Sequence, residues 1–247
     1  MKKLLAMMLA GAILLSLVAC SGNEKEESSQ PALSSSNETI SAPVESTPFS
    51  EPSSQAPVNE GSGTDMLVAY FSYAENADLP DGVDASATAS IQVWGNETTG
   101  NTGVVAAMIA ETTGADLFSI QTAEKYPDTY DATIDKGQEE RNANARPELA
   151  THIENLDSYD VIFLGFPNWW GDMPMAMYSF LDEVDLSGKT IVPFVTSGGS
   201  GFSRTISTIE SMEPGATVQE GLSISGSSAT SAREQVNEWL GGLGYAG

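Results

Sequence analysis

Five stretches of the chain are apolar enough to be strands, and helical patterns separate them. "MLVAYFSY" (66–73), "YDVIFLGFP" (159–167) and "KTIVPFVTS" (189–197) are almost continuously apolar, while "ADLFSIQT" (115–122) and "ATVQEGLSIS" (216–225) are more mixed. After the first of these, "NTGVVAAMIAETTG" (101–114) places Val105, Met108, Ile109 and Thr112 at helical spacing and stops on Gly114, a natural C-cap. A polar segment of weaker helical character follows at 129–145. Further helices are predicted over 174–184, 203–212 and 228–244, the last with Val236, Trp239 and Leu240 on one face. Apolar strands alternating with helices predict a parallel sheet covered on both faces, a doubly wound α/β domain. Ligands of such sheets sit beyond the carboxyl ends of the strands. The loops that follow the first, third and fourth strands are therefore the places to look for chemistry.

Each of those loops is unusual. The first, "ETTGNTG" (97–103), runs into a helix whose leading N–H groups and positive dipole end face the turn. Thr98, Thr99 and Thr102 add hydroxyls, and Gly100 lets the backbone approach a ligand near Asn101. No lysine follows, so this is not a nucleoside-triphosphate loop. A neutral cradle of this kind suits one terminal phosphate. The second loop, "GFPNWWGDMP" (165–174), carries Trp169 and Trp170 in a frame of Pro167, Gly171 and Pro174. Adjacent tryptophans cannot point the same way, so one is expected in the core and the other beside a flat ligand. The third, "TSGGSGFS" (196–203), exposes backbone N–H groups suited to the polar edge of a ring; its glycine spacing excludes a dinucleotide fingerprint.

As an ordered set the motifs resemble the flavodoxin family of FMN-binding electron-transfer modules. "TTGNT" matches the family's phosphate loop, and Ser72 stands where its leading serine belongs. "FPNWWGDMP" and "TSGGSG" resemble the two flavin-ring loops of a bacterial branch, and "YPDTY" (126–130) and "ARPEL" (145–149) extend the likeness over nearly all of 65–247. The resemblance implies a flavodoxin-like five-stranded parallel sheet of order 2-1-3-4-5. It implies non-covalent FMN held by Ser72, Thr98, Thr99, Gly100, Asn101 and Thr102, by Pro167, Asn168, Trp169, Trp170 and Gly171, and by Ser197, Gly198, Gly199 and Gly201. This chain departs from the pattern after the first strand, where an insertion of about 74–97 separates Ser72 from Thr98. The insertion is expected either to cover the flavin crevice, with Trp94 or Ile91 as a lid, or to be a surface excursion. Within it, "DGVDASATAS" (81–90) faintly resembles a covalent FMN-attachment segment, but the required glycine is missing.

Composition adds a location and an electrostatic sign. "MKKLLAMMLAGAILLSLVAC" (1–20) has two lysines, an apolar run and small residues ending at the only cysteine. It resembles a bacterial lipoprotein signal (1–19) with Cys20 as the acylated residue, the alternative being an ordinary secretory signal. Residues 20–64, rich in Ser, Glu and Pro, are expected to be a disordered tether, its 44 residues after the cysteine spanning roughly 35 Å. The implied location is the cell membrane, lipid-anchored on the extracytoplasmic face. With no twin arginine in the signal, the chain is expected to cross unfolded and to take up FMN outside. From Asp65 onward there are 27 acidic and seven basic residues, a net charge of −20 that argues against nucleic acid and for redox partners that are basic where they dock. That charge also disfavours an anionic reduced flavin and lowers its potential. No catalytic cluster stands out, and His152 is the sole histidine, which leaves no metal set. Three functions follow: an electron carrier, a nicotinamide-dependent quinone or nitro reductase of the same fold, or a cofactor-free binding lipoprotein.

Overall fold

The computed structural model describes residues 65–79 and 90–246. The signal, Cys20, the tether and the "DGVDASATAS" segment up to Ala89 lie outside the described residues.

Eight strands form. β1 (Met66–Tyr70), β4 (Asp116–Ser119), β5 (Val161–Pro167), β6 (Thr190–Ser197), β7 (Thr217–Val218) and β8 (Leu222–Ser225) make one sheet. β2 (Gln92–Trp94) and β3 (Glu97–Thr99) make a separate antiparallel hairpin. In the sheet all neighbours are parallel, in the order β4-β1-β5-β6, with β7 and β8 both beside β6. Leaving the hairpin aside, this is the expected 2-1-3-4-5 arrangement. The fifth strand, however, is broken in two. Ile191 accepts the Gln219 N–H at 2.9 Å, so Pro193, two residues on, faces the same edge. Proline has no N–H to give there, and the pairing lapses until Phe194 meets Leu222.

Alternation along the strands feeds two cores. Leu67, Ala69, Ile162, Leu164, Phe166, Ile191 and Val195 face one side, packed with Phe180 of α3 (Met175–Glu183) and Ile209 of α4 (Thr205–Met212). Val68, Phe163, Val192 and Phe194 face the other, against α1 (Asn101–Thr113) and α5 (Arg233–Leu243). Gly165 is required at its position, because a β-carbon would come 2.0 Å from the ring of its register partner Phe194. α2 (Tyr130–Ala143) is the polar helix that sequence read as weak; only Gly137 and Glu140 are buried on it.

Candidate functional site

At the carboxyl end of the sheet lies a cleft of about 750 Å³. It is lined by the ends of β5 and β6, the head of α1, the start of α2, Ser90 and the first residue of β2. The size is that of a small-molecule or cofactor site. Of the residues expected to bind a ligand, Asn101, Pro167, Asn168, Trp169, Trp170, Ser197 and Gly198 line it. Ser72, Thr98, Thr99, Gly100, Thr102, Gly171, Gly199 and Gly201 do not. Among the described residues, no charged side chain lines it.

The phosphate-type turn shows why its hydroxyls are not in the cleft: consecutive residues are each tied to a different element. Thr99 donates its hydroxyl to Glu75 Oε1. Gly100 donates its N–H to Ser72 Oγ at 2.9 Å. Asn101 Oδ1 accepts the Gln92 amide at 2.7 Å, and Thr102 Oγ1 lies 2.8 Å from Thr196 Oγ1. Thr98 is exposed on β3, paired with Val93. Ser72 is therefore a clasp, joining the end of β1 to the turn and closing the insertion at its base. Asn101 is left at the cleft wall as the first residue of a 13-residue helix, whose opening N–H groups are a general anion site.

Glu75 was not expected in this role. Its carboxylate also accepts the Ser119 hydroxyl and bonds the Tyr70 hydroxyl, so three hydroxyls converge on one acid. Burial pushes the Glu75 carboxyl up, although those hydroxyls work in the opposite direction. Burial, then the nearby Glu75 charge, pushes Tyr70 up as well. Glu75 lies 24 residues from Thr99, a pairing that no local sequence pattern announces.

Both tryptophans line the cleft, so the expected split between core and ligand is only one of degree. Trp169 meets Tyr126 edge-on at 5.3 Å and Phe71 at 5.6 Å, rooting it in the core. Trp170 is 46% exposed. Trp169 and Asp172 exchange backbone hydrogen bonds at 2.8 and 2.9 Å, and between them Trp170 and Gly171 have φ of 58° and 75°. Positive φ at both central residues is the requirement of a type I′ turn. That turn throws the Trp170 ring outward. Asp172 secures it from below, accepting Arg204 at 2.8 Å, Tyr178 at 2.8 Å and the Met173 N–H at 2.9 Å. Burial alone would raise the Asp172 carboxyl; the hydrogen bonds, Arg204 foremost, hold it below its ordinary value. Asn168 donates to Gly201 O at 2.7 Å and accepts the Gly171 N–H at 3.0 Å, stitching the second loop to the third.

In the third loop the expectation of free N–H groups is corrected. Gly199 and Gly201 turn theirs inward onto Ser197 Oγ, at 3.2 and 3.0 Å. With both lone pairs engaged, the Ser197 hydroxyl keeps its proton to donate, and Ser197 lines the cleft. Ser197 thus adds a side-chain donor at the cleft in place of the Gly199 and Gly201 N–H groups. Neither residue suggested for a lid lines the cleft. Ile91 is fully buried, and Trp94 stacks under Arg233 at 5.7 Å and donates to Glu111 at 3.3 Å, on the α1 and α5 side. What the insertion does give the cleft is Ser90 and Gln92. Tyr73, Tyr130, Thr133, Ile134, Thr196, Gly226 and Ser227 also line it and were not anticipated; Tyr130 belongs to "YPDTY", which carried part of the resemblance. His152 pairs with Glu183 at 2.9 Å, outside the cleft.

A cleft with aromatic walls, no charge and a helix head at one end fits a flat ring carrying a phosphate. Known proteins agree on the fold. A flavoprotein assignment from Bacteroides uniformis has a structure 29% identical, with a TM-score of 0.55, covering 73% of this chain and 99% of that one. One from Bacteroides eggerthii is 26% identical, with a TM-score of 0.55, covering 72% of this chain and 97% of that one. A Lactobacillus acidophilus flavoprotein solved in complex with FMN is 19% identical, with a TM-score of 0.47, covering 68% and 97%. No curated protein matches the sequence significantly. The family model described as flavodoxin matches residues 91–243, from the hairpin through the last helix, and the chain belongs to the flavodoxin family.

Proposed function

We propose that this protein binds FMN non-covalently in the cleft and passes electrons between redox partner proteins, tethered by lipid on Cys20 at the outer face of the cell membrane. The observation that carries the reading is the uncharged, tryptophan-walled cleft at the sheet's carboxyl edge, with the head of α1 opening into it. Bound there, the flavin supplies one- and two-electron transfer, and the protein sets its surroundings. Trp169 and Trp170 offer the stacking surface, Ser197 a hydroxyl donor, and the first turn of α1 the N–H groups for a phosphate. No acid or base of the protein is needed, which favours a carrier over a nicotinamide-dependent reductase. The signal and tether support the location, and the net charge of −24 supports partners that are basic at the docking face.

The test is the visible spectrum of the protein after it has been unfolded, stripped, refolded and exposed to FMN. A retained flavin band that is released by acid is the expected result. No band would remove carrier and reductase together; a band that stays with the acid precipitate would mean covalent attachment. Rapid oxidation of NADH or NADPH by the loaded protein alone would favour the reductase.

A further inference from the structure

We propose that Gln92, carried on the inserted hairpin, is a ligand-contacting residue that sets the cleft's preference for a phosphorylated flavin over the bare ring. This rests on the FMN reading and goes beyond it, because it assigns a specificity role to a residue outside all three loops that marked the site. Gln92 lines the cleft. Its Nε2 donates to Asn101 Oδ1 at 2.7 Å, which puts the amide beside the first residue of α1. Its backbone pairs with Thr99 in the hairpin register, so the side chain is fixed opposite the phosphate-type turn. Among the described residues that amide makes no second hydrogen bond, and Gln92 is partly exposed at the cleft wall.

The hairpin that presents it is anchored at both ends. Ile91 is fully buried in the core. Trp94 is held by Arg233 at 5.7 Å and by Glu111 at 3.3 Å. Gln92 sits between these anchors and reaches the site already ordered, which lowers the cost of using it. The chemistry needs such a group. Among the described residues no lysine or arginine lines the cleft, so they offer an anionic phosphate only neutral donors. The thirteen-residue α1 supplies backbone N–H groups at its head, and Gln92 is the side-chain amide next to them. A carboxylate in its place would set an unpaired negative charge against the phosphate.

The experiment compares FMN and riboflavin affinities of the full-length protein by quenching of flavin fluorescence. The variants are Gln92→Glu, Gln92→Ala and the hairpin control Val93→Ala, whose side chain is 59% exposed. Wild type and Val93→Ala are expected to prefer FMN. Gln92→Glu should lose roughly tenfold or more of that preference and Gln92→Ala several-fold, with riboflavin affinity nearly unchanged. Riboflavin binding serves as the control for folding, because a misfolded variant loses both ligands. An FMN-to-riboflavin ratio equal in all four proteins overturns the proposal and leaves Gln92 a prop for the hairpin. Failure of wild type to bind FMN removes the FMN reading itself, a result distinct from an unchanged ratio.

Discussion

Trp170 occupies a backbone position that its own side chain disfavours. A left-handed conformation costs a non-glycine residue about 1–2 kcal/mol, and at φ 58° Trp170 bears that cost to hold its ring outside the core. Asparagine is at home at such a position. Trp170→Asn is therefore expected to raise stability by up to about 1 kcal/mol while weakening FMN binding, measured as a urea midpoint and a flavin titration on the same protein. Gain in both would show that the ring is not part of the site. The tryptophan pair could be read from sequence as a wall of the site, but not that both of its rings would line the cleft. The outward turn of Trp170 could not be read either, since it lies in the paired positive φ values of Trp170 and Gly171.

Elements rather than residues explain how the turn at 98–102 is held, and they give it a pH dependence. Burial raises the carboxyls of Glu75, Glu140 and Glu213 above their ordinary 4.5, while Asp172 is held below its ordinary 3.8. A raised carboxyl contributes stability that is complete below its unfolded value and is lost as pH rises through its folded value. Asp172 contributes in the opposite window, losing its part as pH falls below 3.8. Glu75→Gln resembles the protonated acid. Its denaturation midpoint is expected to fall less steeply than wild type as pH rises above 4.5, the ordinary value that burial lifts Glu75 beyond, with the acid-side loss from Asp172 unchanged. Parallel curves would mean that Glu75 does not titrate there. Sequence made five strands and the helices legible, because period and apolarity are local; their order followed only from the resemblance of the loop motifs. It missed the break in the fifth strand, which depends on which edge Pro193 faces. It missed the inward N–H groups of the third loop, which depend on Ser197 folding back under Gly199 and Gly201. Ties such as Thr99 to Glu75 and Asn101 to Gln92 are set by packing across the insertion.

For the whole molecule, charge and cleft are separated: the chain carries −24, yet its cleft is neutral. Charge then governs encounter more than ligand binding. Electron transfer to a basic haem protein used as a surrogate partner is expected to slow several-fold between about 0.02 and 0.3 M salt as the Debye length shrinks, with FMN affinity changing much less. A rate indifferent to salt would place the docking surface away from the acidic faces. The clasp between Ser72 and Gly100 has a consequence of another kind. The chain leaves the sheet at Ser72 and comes back beside it at Gly100, where a 2.9 Å hydrogen bond and the Thr99–Glu75 contact close the base. Closing a longer excursion between fixed ends costs only about 0.6 kcal/mol for each doubling of its length. The stretch beyond the clasp can thus lengthen or shorten over evolutionary time with little penalty, provided that the hairpin at its far end is kept, and related chains with different excursions can share one cleft.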